Sequence, residues 1–296
     1  MWKSVHEAFE LDEPVDLGIQ IDVTDVLTAL RAREVYAAAR AEPGRCAIIV
    51  AEGARLTFTD FDAAPRLRER LAAYERTTDP FGALPPSDSI DRTLAKLAEL
   101  AGRDALEVLH RLDGETVFAV ENEDDFELDD DMLLPEDPRE AYAAVLAQRE
   151  AARAERPAVT FGGMFGLVLD QSGPPRTYDV ASAIAQLSPG ESRVMRLATT
   201  PARALLYLGF GGWNDCPSPH EQARIWERWA RTTSGEPAVL HEDSLDAIVT
   251  RPVETREALV QLAREVIAYD RDSVIEGVLP LLSMLYRNTS VRFWWD

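Results

Sequence analysis

The run Gly211-Gly212-Trp213-Asn214-Asp215-Cys216-Pro217-Ser218-Pro219 constrains this chain more than any other stretch of it. Two adjacent glycines permit positive φ and a close backbone approach. Asn214 can bond its own backbone in a turn. Ser218 reads as an N-cap, Pro219 as the first helical position and Glu221 as the closing residue of a capping box, so a helix spans 218–233. The apolar run 204–210 just before the glycines reads as a strand. The nine residues therefore turn the chain from a strand into a helix. Ile225, Trp226 and Trp229 fall within about 100° of helical arc, which gives that helix one aromatic and apolar face. Trp213 is expected to pack against Trp226 or Trp229.

The rest of the chain reads as α+β in two packed mixed halves. Residues 1–156 form an acidic α/β region. Residues 157–296 form a mostly antiparallel sheet with helices on one face. In the first half the periodicity predicts helices over 23–41, 63–76, 89–100, 104–111 and 137–155. Strands are expected at 46–50 and 116–120, with 55–59 as a hairpin partner of the first. A linker falls near Arg156-Pro157. In the second half strands are expected at 158–169, 192–198, 237–241, 245–251 and 291–295. Helices are expected at 180–187, 254–268 and 274–286, the last one shaped by Pro280.

Charge narrows the partners. The net charge is −21, with 52 acidic residues against 31 basic ones. Residues 1–150 carry −18 of it, and eight of the eleven residues 121–131 are Asp or Glu. So acidic a chain repels phosphates, which argues against nucleic acid and anionic membrane and favours a basic partner. The acidic tract lacks the glycine that a calcium loop needs, and reads as a solvated loop. The start has no apolar core of a signal peptide, and no apolar run approaches a membrane span. Two cysteines 170 positions apart make neither a disulfide framework nor a zinc pattern. These features point to a cytoplasmic protein with reduced thiols. The 29 arginines against two lysines, with the alanine content, point to a GC-rich bacterial genome.

Five of the six tryptophans lie in the last 84 residues. Beside the Gly211–Pro217 run, the chain closes on Phe293-Trp294-Trp295-Asp296. Between the two come Arg251-Pro252 ahead of a helix, then Tyr269, Asp272 and Gly277. On these residues the region 190–296 resembles the domain of unknown function 4253 family. That family's pattern has a Gly-Gly-Trp-Asn-x-Cys-Pro turn and a terminal Phe-Trp-Trp-Asp. Here Asp270 stands where the family commonly has cysteine, and Glu276 where it has glutamine. The resemblance implies no catalytic assignment.

Two readings of the motif set follow from its chemistry. In one, Gly211, Gly212, Cys216 and Pro217 form a structural corner that docks a helix on the sheet. In the other, Trp213, Asn214, Trp294, Trp295 and Asp296 line a groove for a ligand or a protein partner, as exposed tryptophan favours. Strand alternation puts Phe293 and Trp295 on one face and Trp294 on the other. An enzyme reading would use Cys216, placed before a helix N-terminus that lowers a thiol pKa, or the Asp272/Glu276 cluster. The four histidines show no metal-ligand spacing, and Gly162-Gly163-Met164-Phe165-Gly166 lacks the lysine of a phosphate loop. No cofactor or metal is expected. The lack of a convincing catalytic set, the charge and the tryptophans together favour a protein-interaction module, of adaptor or immunity type.

Overall fold

The computed structural model describes residues 2–11, 17–58, 63–101, 104–110, 158–160, 168–170, 180–274 and 277–295. In chain order its strands are β1 (Lys3–Ser4), β2 (Ile21–Val26), β3 (Cys46–Ala51), β4 (Ala158–Thr160), β5 (Val168–Asp170), β6 (Ser192–Leu197), β7 (Gly235–Leu240), β8 (Ser244–Val249) and β9 (Ser290–Trp294). The helices are α1 (Val5–Ala8), α2 (Ala29–Arg40), α3 (Ala63–Arg76), α4 (Asp88–Ala101), α5 (Ala105–Leu109), α6 (Val180–Gln186), α7 (Pro201–Leu208), α8 (Pro219–Thr232), α9 (Arg256–Tyr269) and α10 (Val278–Leu285).

Seven strands form one sheet in the order β1-β2-β6-β3-β7-β8-β9. Every neighbouring pair is antiparallel except β3 and β7, which run parallel. The α+β class is therefore the observed one. The sheet draws strands from both sides of the division expected at 156/157, because β3 lies between β6 and β7. The division itself falls outside the described residues. So do the acidic tract 121–131, the expected strand 116–120, the expected helix 137–155 and the glycine run at 162–166. The expected strand 158–169 is a hairpin of β4 with β5 where it is described.

Alternation sorts the sheet's side chains into two cores. Cys46, Ile48, Val50, Leu245, Ala247, Val291 and Phe293 face α7 to α10. Ala47, Ile49, Val194 and Ile248 face α2 and α6 on the other side. Cys46 through Val50 are all buried, so β3 reads as a continuous apolar run rather than an alternating one.

Three local expectations are corrected. The run 204–210 is not a strand: Pro201–Leu208 is helical, with Thr200 accepting from Arg203 N as N-cap and Gly209 closing it at φ 67°. The physical reason is composition. Ala, Leu and Arg favour helix, no β-branched residue interrupts them, and Pro201 and Gly209 mark the ends. The expected helix 23–41 divides into β2 and α2. Ile21-Asp22-Val23-Thr24 alternates with period two, and the Thr28 side chain then caps a new helix by accepting from Arg31 N. Residues 55–58 form no strand; both edges of β3 are taken by β6 and β7. Pro280 is the third residue of α10, in the first turn, where its missing N–H costs nothing.

Because β3 sits between β6 and β7, a fragment beginning at Gly190 holds the flanking strands and lacks the central one. Alone it is expected to show no cooperative thermal transition by circular dichroism, and to gain one when the 1–189 segment is added. A fragment that melts cooperatively alone contradicts this topology.

Candidate functional site

The Gly211–Pro219 run forms a tight corner. Gly212 N donates to Cys216 O at 3.2 Å and to Pro217 O at 3.1 Å, while Cys216 N returns to Trp213 O at 2.9 Å. Gly211 and Gly212 take φ of 109° and 87°, and Asn214 takes 46°. Asparagine tolerates that left-handed region better than most residues, so the turn selects its own sequence. A Cβ on Gly211 would stand 2.2 Å from the Pro217 carbonyl oxygen, whereas one on Gly212 would meet nothing closer than 3.8 Å. At the exit, Glu221 accepts the Ser218 N–H at 2.9 Å and its hydroxyl at 2.6 Å, which starts α8 as expected.

The corner is pinned by one side chain. Gln222 is fully buried. Its Nε2 donates to Cys216 Sγ at 3.2 Å. Its Oε1 accepts from the Tyr269 hydroxyl at 2.5 Å and from Trp226 Nε1 at 3.2 Å. Around this carboxamide the aromatic rings interlock. Trp226 meets Trp229 edge-on at 5.0 Å, Phe293 stacks on Trp229 at 5.7 Å, and Trp295 meets Tyr269 edge-on at 5.3 Å. Trp295 Nε1 reaches the Tyr269 carbonyl at 3.4 Å. Trp213 does not join Trp226 or Trp229 as expected. It packs edge-on against Phe210 at 4.9 Å, with the Arg55 guanidinium 6.0 Å from its ring.

The structure thus separates the sequence-derived site residues. Trp295, Cys216 and Phe293 are buried. Asn214 and Trp294 are exposed, and Trp213 is half-buried. Trp294 lies on the face opposite Phe293 and donates from Nε1 to Asp243 at 3.0 Å. Asp296 and Glu276 fall outside the described residues. Asp272 lies in the short 3₁₀ turn after α9, its N–H bonded to Asp270 Oδ1 at 3.0 Å.

Burial pushes the Cys216 thiol up to about 12, so it stays protonated near neutrality. His220 bonds Ser218 Oγ through Nδ1 at 2.9 Å. This is the chemistry of a structural corner thiol. Among the described residues no three His, Cys, Asp or Glu side chains converge as a metal-holding group.

Sequence reasoning gave no structural role to Gln222, Asp246 or Asp270. Gln222 carries no signal of its own on an amphipathic helix. Asp246 sits mid-strand in an otherwise apolar β8, which is such a signal, because a buried charge needs partners. Arg292, its register partner on β9, supplies two bonds at 2.5 and 2.8 Å, and His241 Nε2 lies 3.1 Å away. Burial alone would raise the Asp246 carboxyl, but these bonds hold it down at about 2. Asp270 is the reverse case. Burial lifts it to about 6, against the opposing hydrogen bonds from the N–H groups of Trp294, Asp272 and Ser273. Its bond to Trp294 N, at 3.3 Å, caps the free side of the edge strand β9.

The matched family bears on just these elements. Residues 194–296 match the model of DUF4253, a domain of unknown function. The match takes in the corner, Gln222, Tyr269 and the terminal tryptophans, and leaves out β1 to β3. Neither a curated protein nor a solved structure matches the chain. Among the described residues no helix is long and apolar enough to cross a membrane.

Gly211→Ala is expected to cost about 2–4 kcal/mol, since the backbone carbonyl in its way cannot yield, while Gly212→Ala costs about 1 kcal/mol for φ alone. Equal losses in chemical denaturation would contradict the corner geometry. For Asp270 the folded-state pKa is raised, so wild-type stability falls as pH climbs from about 4 to about 6. Relative to Asp270→Asn, the loss over that window is on the order of 2–3 kcal/mol. Asp246, held down at about 2, contributes with opposite sign and only below about pH 4. A wild-type minus Asp270→Asn difference that stays flat between pH 4 and 6 would refute the assignment.

Proposed function

We propose that this protein is a protein-interaction module, of adaptor or immunity type, that holds a basic protein partner at one end of its sheet. The observation that carries the reading is the place where its large apolar side chains emerge. Among the described residues, Leu27, Leu30 and Trp294 are the exposed large hydrophobics, Leu27 at 80% and Trp294 at 42%. The strand register supports a common end for Leu27 and Trp294. Val26 pairs with Ser192, and Ser192 with Ala51. Val50 pairs with Leu240, Leu240 with Leu245, and the adjoining Ser244 with Trp294.

The same end carries the exposed carboxylates of Asp25, Glu52, Glu191 and Glu242. It also holds a cavity of about 330 Å³ whose apolar wall includes Phe9, Val26, Leu27 and Leu56. Asp25 is paired with Lys3 and Arg193, and Glu242 with Arg55, which leaves Glu52 and Glu191 without an ion pair among the described residues. Apolar anchors beside these carboxylates favour a segment with lysine or arginine beside an apolar side chain. The net charge of −21 favours the same partner and disfavours nucleic acid and anionic membrane. Trp213 approaches this end through Arg55, which pairs with Glu242; Trp295 supports it from the core. The reading places the protein in the cytoplasm, where Cys46 and Cys216, both buried and free, stay reduced.

The test is affinity capture from a cell lysate with wild type beside Leu27→Ser/Trp294→Ala, both changes being at exposed positions. The expected result is a stoichiometric basic protein that is lost with the double variant, and whose association rate falls with salt. A partner retained equally by both, or binding indifferent to salt, would sink the reading.

A further inference from the structure

The opposite end of the sheet carries the opposite charge. A cavity of about 460 Å³ opens between the start of α7, the second half of α8 and the start of β7. Its walls hold four arginines, Arg40, Arg203, Arg224 and Arg231, against two carboxylates, Glu227 and Glu236. A second depression adjoins it through Thr200, Pro201, Arg203 and Glu227. Such an excess of guanidinium is out of keeping with a chain of 52 acidic and 31 basic residues.

The two carboxylates are already engaged. Glu227 takes Arg203 Nε at 3.1 Å and Arg224 Nη1 at 3.2 Å, and also the Tyr74 hydroxyl. Glu236 takes Arg40 Nε and, at 3.3 Å, the Tyr36 hydroxyl. Tyr74 lies between two guanidiniums, Arg224 at 3.8 Å and Arg203 at 5.0 Å from its ring centre. It thereby sets the direction of both forks. Donors remain. Among the described residues Arg40 bonds through Nε alone, and Arg203 through Nε and Nη2. The Arg231 side chain makes no hydrogen bond or ion pair among the described residues, and its backbone carbonyl holds a further guanidinium, Arg251, beside the cavity. The first turn of α7, capped by Thr200, opens on the same space and adds its partial positive charge.

We infer that this arginine-walled cavity binds a small anionic molecule through a phosphate or diphosphate group. Arginine forks match phosphate oxygens two at a time. The volume lies within the usual range for small-molecule sites, about 300–1,000 Å³. The ion pairs to Glu227 and Glu236 orient the forks, and Arg231 supplies the uncompensated charge. Carboxylate-rich anions share this chemistry, so the test separates the two.

Isothermal titration of the full chain at fixed ionic strength, with inorganic pyrophosphate in one arm and citrate in the other, decides it. The variants are Arg231→Gln, Arg40→Gln/Arg231→Gln and, as a control, Arg31→Gln on the exposed outer face of α2. Arg231→Gln removes no hydrogen bond or ion pair among the described residues, so its result stands even if Arg40→Gln disturbs Glu236. One-site binding of pyrophosphate, weakened about tenfold or more by Arg231→Gln and unchanged by Arg31→Gln, is expected. Tighter binding of citrate would overturn the phosphate assignment. No saturable binding of either anion, or equal binding by Arg231→Gln and wild type, would overturn the site.

Discussion

One buried carboxamide holds the C-terminal half of the molecule in register. Gln222 contacts the corner through Cys216, its own helix through Trp226 and the next helix through Tyr269. Tyr269 in turn receives Trp295 at its carbonyl. Each of these groups is buried, so each bond replaces one that water would otherwise make. Losing the hub would leave donors and acceptors unmatched inside an aromatic core. The glycine corner with the helix that follows it, α9 and the last strand are three separated stretches of sequence. Their spacing along the chain is thus explained by a single network.

That network also decides what is left for function. Phe293 and Trp295 are committed to the core, as are Trp226 and Trp229. Trp294, one residue between two buried rings, is forced outward by strand alternation. Asp270 caps the backbone of that same residue, which keeps the edge strand from offering an open ladder. The two ends of the sheet then differ in kind. One presents Leu27 and Trp294 beside Asp25, Glu52, Glu191 and Glu242, two of them ion-paired; the other gathers guanidiniums around a cavity. A strongly acidic chain can hold both because the arginines are fixed locally by Tyr74, Glu227 and Glu236.

Much of this was legible in the residues. The capped start of α8, the hairpin of β7 with β8 and the alternation of β9 follow from local chemistry. The family pattern pointed to the corner and the chain end. The helix at Pro201–Leu208 was legible too, in Thr200, Pro201 and Gly209; an apolar run of five residues concealed it. The place of β3 was not. A buried apolar strand has no mark that says which neighbours it takes, and β6 and β7 are some 140 and 190 positions away in sequence. Trp213 went to Phe210 instead of the helix because the turn at 213–216 directs it back along the chain. Gln222 and Asp270 each depend on one partner from a distant element, Tyr269 and Trp294, which no local pattern encodes. Asp246 was within reach, as a charge inside an apolar strand.

The central claim is that the chain-end tryptophans are divided, with Trp295 locked behind Tyr269 and Trp294 presented to solvent. Hydroxyl-radical footprinting of the native protein, read tryptophan by tryptophan by mass spectrometry, tests it directly. The account predicts rapid oxidation of Trp294, slower oxidation of the half-buried Trp213, and protection of Trp226, Trp229 and Trp295. Oxidation of Trp295 as fast as that of Trp294 would contradict it.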